Sequence, residues 1–293
     1  MKFLTFLVDN KEKVGMLSVD EEKIIEISEI LDKKINSMLD LIKIFSLNDV
    51  EKIKREFLKN KKYYQKSDVK ILSPIRKPIH DIICVGLNYR EHIKETENYF
   101  KINIEEKAKT VYFSKRAIEI IGQDDSIISR LDLDKELDYE AELAVIIGKD
   151  GKNISEEKAE EYIFGYSIFN DISARTLQRL HNQWYRGKSL DTFSSMGPVI
   201  VYKDELLLPI EVEIKSRVNN QLRQESNTKY MLKSISQIIS EISEGITLEA
   251  GDIIITGTPA GVGLGYEKDK FLKRGDIVEC EISGIGILRN TVK

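Results

Sequence analysis

The sequence contains no apolar run of about 18 residues, the length a membrane-spanning helix needs. Its first apolar stretch, M-K-F-L-T-F-L-V, stops at Asp9, too early for a secretory signal. A soluble, cytoplasmic protein without a membrane partner is therefore expected. Cysteine is scarce: Cys84 and Cys280 lie far apart, each in an apolar strand-like run. That spacing suits neither a zinc site nor a disulfide framework, and two buried free thiols are expected. An excess of positive charge is lacking too, since 45 Lys and Arg are interspersed with 49 Asp and Glu for a net charge of -4, which argues against nucleic acid as a partner. No G-x-S-x-G elbow occurs and no cysteine stands beside a histidine, so covalent serine or thiol catalysis is not expected. R-G-K-S around Lys188 is no phosphate loop, because Asn182 stands where the first glycine should be; the glycine-rich stretch 257–265 lacks the following lysine. Repeats and low-complexity tracts are absent.

What is present is a chain of 293 residues, 41% hydrophobic and 32% charged, long enough for one or two domains with an adequate core. Residues 2–8, 14–19 and 23–27 read as three short strands. Ile35, Met38, Leu39, Ile42 and Phe45 share one helix face, and Asn48 with Glu51 reads as the capping pair of a second helix carrying Val50, Ile53 and Phe57. Lys59-Asn60-Lys61-Lys62 reads as a solvated linker. Residues 1–65 are thus expected to form a small N-terminal α+β domain that packs against the rest or shapes an entrance, and residues 71–293 a catalytic domain.

In the second part, D-I-I-C-V-G-L-N-Y reads as a buried strand ending at Gly86 and Asn88, before a helical R-E-H-I-K-E-T-E-N. The charged, thinly apolar segment from Asn98 to Thr110 reads as a mobile helix or lid. Strands resume at V-Y-F-S-K, and Met231 to Ile242 reads as a helix burying Leu232, Ile235, Ile238, Ile239 and Ile242. Many short strands and few helices predict an α+β, β-rich fold rather than a doubly wound sheet.

The chemistry concentrates between Leu137 and Gln178. In L-D-Y-E-A-E-L-A-V-I-I-G, Glu140 and Glu142 stand two apart at the mouth of an apolar run, so both carboxylates project to one face. Asp171 ends a second apolar run, Tyr162 to Phe169. Alone, the two glutamates read equally as solvent-facing residues of an edge strand, and Asp171 as a helix N-cap. Gathered at one rim, three carboxylates repel unless a cation lies between them, and oxygen-only ligands favour Mg2+ or Mn2+. His92 and Glu95, three apart on a helix, read either as a surface contact or as a general base with its orienting carboxylate. The loop Thr256 to Gly263 reads as a plain turn, or as backbone N–H groups and a Thr258 hydroxyl able to hold a carboxylate.

In order along the chain, C-V-G-L-N-Y-R-E-H, D-Y-E-A-E-L-A-V-I-I-G, G-Y-S-I-F-N-D-I-S-A-R-T-L-Q, R-G-K-S-L-D-T-F, G-P-V-I-V and D-I-I-I-T-G-T-P-A-G-V-G closely resemble the fumarylacetoacetate hydrolase superfamily, in the bacterial and archaeal branch with a small N-terminal domain. The resemblance covers residues 71–293. It implies a mixed β-roll assembled as a homodimer, with Glu140, Glu142 and Asp171 as Mg2+ ligands. It also implies His92 and Glu95 as a lid dyad, Lys188 as the active-site lysine, and Gln178 and Thr258 as substrate contacts. The family pattern F-x-K-P reads Phe113-Ser114-Lys115-Arg116 here, without the proline; Lys115 is carried over as a further substrate contact.

The activity so implied is metal-dependent chemistry on a 2-oxo acid whose cleavage or enolisation leaves negative charge on the 2-oxo oxygen. Hydrolysis of an acylpyruvate is the first expectation. Oxaloacetate decarboxylation and the isomerase/decarboxylase reactions of the homoprotocatechuate pathway are the alternatives. A ligand-binding homologue without activity is the competing non-enzymatic reading.

Overall fold

The computed structural model describes residues 1–57, 62–100, 110–266 and 270–293. Strands β1 (Lys2–Val8), β2 (Lys11–Leu17) and β3 (Lys23–Glu26) lead into helices α1 (Ile27–Leu31), α2 (Met38–Ile44) and α3 (Leu47–Glu56), then β4 (Tyr64–Gln65) and β5 (Lys70–Leu72). Next come β6 (Ile82–Gly86), α4 (Arg90–Phe100), β7 (Val111–Lys115), β8 (Ser126–Ile127), β9 (Leu137–Asp138), β10 (Ala141–Ile147), β11 (Ile163–Asp171) and β12 (Ser173–Ala174). Helices α5 (Arg175–Leu180) and α6 (Tyr185–Lys188) follow, then β13 (Ser194–Tyr202), β14 (Glu213–Val218), β15 (Gln221–Asn227), α7 (Ile235–Ser243), β16 (Ile253–Ile255), β17 (Ile277–Ile282) and β18 (Gly286–Val292). This is the α+β, β-rich architecture that the strand pattern predicts.

An eleven-stranded mixed sheet runs β4-β3-β2-β1-β13-β11-β10-β16-β6-β7, with β5 paired to β1. The N-terminal strands therefore continue this sheet through the antiparallel β1–β13 pair. β10 and β11 are buried along their whole length. They read as near-continuous apolar runs because both faces of the sheet are covered. Ala144 and Ile146 face a core that holds Ile27, Leu41 and Val50 of the first helices. Leu143, Val145 and Ile147 face the other core, shared with α7 and the five-stranded sheet β15-β14-β17-β18-β8. The β14–β15 hairpin turns on Asn219 and Asn220, both at positive φ (51° and 64°), a geometry that asparagine tolerates in two-residue hairpin loops.

Two helix starts differ from the sequence reading. The capping residues of α3 are Ser46 and Asp49, not Asn48 and Glu51: the Asp49 carboxylate accepts from the Ser46 N–H (2.9 Å) and hydroxyl (2.7 Å). α7 begins at Ile235 rather than Met231, because Ser234 and Gln237 form a reciprocal capping box there, and Leu232 is left 44% exposed instead of buried. Ser234→Ala is expected to cost about 1 kcal/mol of unfolding free energy in urea titration, the usual worth of such a cap. The linker expected at 59–62 and the lid expected at 98–110 fall largely outside the described residues. Both cysteines are buried free thiols.

Candidate active site

The site lies where the central strands converge. β6 and β16 run parallel and end together, while β10, antiparallel to β16, begins there. β11, antiparallel to β10, ends there with Asp171, whose N–H donates to the Glu140 carbonyl (2.9 Å). One carboxylate oxygen each from Glu140, Glu142 and Asp171 falls within 4.8 Å of the others, all three residues buried. The i,i+2 alternation thus brings the glutamates together, and the strand pairing adds the aspartate. Asp171 is not an N-cap: α5 starts four residues later, with Ala174 in the capping position.

The cations between these carboxylates are side chains of the chain itself. Lys188 Nζ lies 2.7 Å from both Glu140 Oε2 and Asp171 Oδ2. Lys115 Nζ pairs with Asp171 Oδ1 and donates to the Ile172 carbonyl (3.0 Å). The proline that is missing after Lys115 therefore does not turn the lysine away from the acids. Burial opposes the charge on Lys188, but Asp171 and Glu140 outweigh it and hold its ammonium above the ordinary lysine range. Burial wins at Lys115, whose pKa is lowered despite Asp171 and with repulsion from Lys188 added. For Glu140, burial is overcome by Lys188, then Arg175 and His92, so its carboxyl is held well below the usual range. Glu142 goes the other way: burial, then Asp171 and Glu140, push it well above. Its one hydrogen bond among the described residues is from the Gly257 N–H (2.7 Å).

His92 and Glu95 meet on α4, Nδ1 to Oε2 at 3.1 Å. Glu95 is itself held, since its Oε1 accepts from the Gly261 N–H (2.9 Å). Gly265 makes room for it: a Cβ there would stand 1.8 Å from Glu95 Oε1. The glycine-rich loop does hold carboxylates, but those of the protein. Asp138 takes the N–H groups of Gly263 (2.6 Å) and Leu264 (2.9 Å). The Thr258 hydroxyl is engaged, donating to the Ala141 carbonyl (2.9 Å) and accepting from Gln224 Nε2 (2.7 Å). Glu140, Glu142, His92, Gln178, Lys188 and Thr258 all line one cavity of about 20 Å³. A surface hollow of about 550 Å³ beside Asn153, Lys233 and Glu241 is open and gathers no comparable set of buried acids and bases.

Arg175 belongs to this site and was not singled out by the sequence reading. Fully buried, it donates from Nε to Asp138 Oδ2 (2.8 Å) and from Nη1 to Gln178 Oε1 (3.0 Å). Its Nη2 lies 2.7 Å from Glu140 Oε1, an ion pair without the angles of an aligned hydrogen bond. A signal existed: Asp138, Glu140 and Glu142 form an i, i+2, i+4 series, one more acid on that face than the two considered. Trp184 and Phe113 complete the cavity wall.

A buried carboxylate triad with an adjoining histidine–glutamate pair, on a mixed sheet backed by a second sheet, defines a class of protein. The sequence model described as fumarylacetoacetate (FAA) hydrolase C-terminal matches residues 81–293, and the chain belongs to this enzyme family. Over 306 aligned positions it is 40% identical to "Oxaloacetate tautomerase YisK" of Bacillus subtilis, covering 100% of both chains. The fumarylacetoacetate hydrolase of Exiguobacterium antarcticum superposes with a TM-score of 0.82 at 38% identity, over 100% of this chain and 99% of that one. A maleylpyruvate hydrolase from Sphingobium, solved with manganese(II) and pyruvate, gives a TM-score of 0.79 at 25% identity, over 100% of this chain and 98% of that one. The buried triad of the present chain offers a metal ion three hard oxygen donors. No helix among the described residues is long and apolar enough to cross a membrane.

Proposed function

We propose that this protein is a divalent-metal-dependent enzyme that enolises a small 2-oxo acid, with keto–enol tautomerisation of oxaloacetate as its reaction. The observation that carries the reading is the site itself: Glu140, Glu142, His92 and Lys188 line one cavity, and Asp171 and Glu95 back it through Lys188 (2.7 Å) and His92 (3.1 Å), which sets metal ligands, a base and a fixed cation around one point. Full-length similarity to an oxaloacetate tautomerase supports it. A Mg2+ or Mn2+ ion on Glu140, Glu142 and Asp171 would supply Lewis-acid polarisation of the 2-oxo group. His92 takes the proton from the carbon beside that group, and Glu95 holds the imidazole tautomer and orientation. Lys188 stays charged and stabilises the oxygen as it becomes negative, while Lys115 holds Asp171 in place. Gln178, oriented by Arg175, and Thr258 position the substrate. The imidazolium of His92 returns the proton to the 2-oxo oxygen, so tautomerisation moves one proton between carbon and oxygen and needs no attacking water.

Acylpyruvate hydrolysis, the first expectation from the sequence, is the second reading, supported by the likeness to a maleylpyruvate hydrolase. Oxaloacetate decarboxylation uses the same groups. A homodimer and a division into domains at 1–65 and 71–293 belong to the proposal. The cavity residues all come from Val85 onward among the described residues, which supports a packing role for the first segment.

The experiment follows the decay of enol oxaloacetate and the release of pyruvate from oxaloacetate, acetylpyruvate and fumarylpyruvate, with Mg2+ and then with EDTA. Accelerated ketonisation without pyruvate release, abolished by EDTA, is expected. Pyruvate release from the acylpyruvates in place of ketonisation moves the assignment to hydrolase, and release from oxaloacetate alone moves it to decarboxylase.

A further inference from the structure

β15 is an edge strand of the five-stranded sheet, and six of its seven residues are exposed or half-buried. The one fully buried residue, Gln224, is polar, and burying an amide is costly unless its hydrogen bonds are made. They are made, with partners that leave no choice of orientation. Oε1 accepts from the Ala141 N–H (3.1 Å), which can only donate. Nε2 donates to the Pro259 carbonyl (2.8 Å), which can only accept, and its second hydrogen goes to the Thr258 hydroxyl oxygen (2.7 Å). Ala141 stands between the triad glutamates, and Thr258 and Pro259 belong to the glycine-rich loop. One amide from the second sheet thus spans the triad strand and the loop. The backbones are close as well: a Cβ on Gly261 of that loop would collide with the Arg223 carbonyl of β15.

The consequence falls on Thr258, which lines the active-site cavity. A hydroxyl has one hydrogen and two lone pairs. The Thr258 hydrogen is given to the Ala141 carbonyl (2.9 Å), and the Gln224 amide takes one lone pair. What is left for a ligand is the other lone pair, so Thr258 can accept a hydrogen bond and cannot donate one. A ketone or carboxylate oxygen gains nothing from it, whereas a hydroxyl does. Resting on the proposed enolisation of a 2-oxo acid, we propose that Gln224 is a positioning residue that fixes Thr258 as an acceptor, and that this acceptor selects the ligand form with a hydroxyl on the carbon next to the carboxylate. In the reaction that form is the enol, which donates to Thr258 once the 2-oxo oxygen has gained its proton. Gln224 itself touches no substrate and acts through Thr258.

The full-length protein is titrated by calorimetry, in the presence of Mn2+, with pyruvate and with each enantiomer of lactate. These ligands match in charge and heavy atoms and differ in carrying a ketone or a hydroxyl next to the carboxylate. The readout is the ratio of lactate affinity, for the tighter enantiomer, to pyruvate affinity. Thr258→Val is expected to lower that ratio about tenfold, the scale of leaving a buried donor without a partner, and Thr258→Ser, which restores the hydroxyl, to return it close to the native value. Gln224→Met is expected to lower it about threefold or more, because a hydroxyl released from the amide can turn its hydrogen to the pyruvate ketone. A merely structural role would weaken both ligands together and leave the ratio as it is. An unchanged ratio in Thr258→Val or in Gln224→Met therefore overturns the assignment while the enzymatic reading stands; if one of these variants does not fold, the other decides. Failure of the native protein to bind pyruvate sinks that reading and the assignment with it.

Discussion

Replacing His92 with alanine is expected to lower kcat for oxaloacetate ketonisation by about 10²–10⁴, the usual contribution of a positioned general base. Two features make the effect large. The imidazole is buried at the cavity, and its Nδ1 is occupied by Glu95, which leaves Nε2 as the nitrogen available to a substrate proton. Glu95 is in turn fixed by the Gly261 N–H, so the ring has little orientational freedom to lose on reaching the transition state. Metal and oxalate binding should survive in His92→Ala, because the triad comes from other elements than α4. Glu95→Gln should fall between the native enzyme and His92→Ala: the amide still accepts from Gly261 but no longer stabilises an imidazolium. Steady-state kinetics beside calorimetric oxalate binding separate these effects. A His92→Ala enzyme with native kcat would remove the dyad from the mechanism.

The parts of this molecule legible in the sequence are those set by local periodicity. Two-residue alternation placed Glu140 and Glu142 on one face, and three-residue helical spacing placed His92 against Glu95; both contacts form. The β-rich class followed from many short apolar runs. Less legible was anything decided by competition between neighbours. Ser46 and Ser234 win the helix starts because they cap in reciprocal pairs with Asp49 and Gln237, whereas the sequence favours an Asn48–Glu51 capping pair for the one and an apolar periodicity from Met231 for the other. Hardest to read was charge balance in three dimensions. Repulsion among three carboxylates called for a cation, and a metal ion was the answer the sequence suggested. Lys115 reaches Asp171 from β7, Arg175 reaches Glu140 from α5, and Lys188 reaches both from α6, and only the folded arrangement reveals that these ammonium and guanidinium groups balance the carboxylates.

Arg175→Ala is expected to destabilise the protein by about 3–5 kcal/mol, the penalty for removing one partner of a buried ion pair. The guanidinium bridges three groups: it joins Asp138, which clamps Gly263 and Leu264, to Glu140 of the triad and to Gln178. Its loss would strand the Asp138 carboxylate in a fully buried position with only backbone N–H groups for company, and would leave Glu140 to Lys188 alone. Arg175→Lys should recover little, because a single ammonium cannot span three acceptors that the planar fork reaches at once. Urea denaturation should show a lower midpoint with the slope unchanged, the mark of lost stability without altered unfolding. The decisive comparison is a double-mutant cycle with Asp138→Asn, which keeps an oxygen for Gly263 while discarding the charge. If the pair acts as described, Arg175→Met with Asp138→Asn should cost clearly less than the two single changes added together, by about 1 kcal/mol or more. Strict additivity would mean that Arg175 stabilises the fold through packing alone, and that the link between the glycine-rich loop and the triad carries no energy.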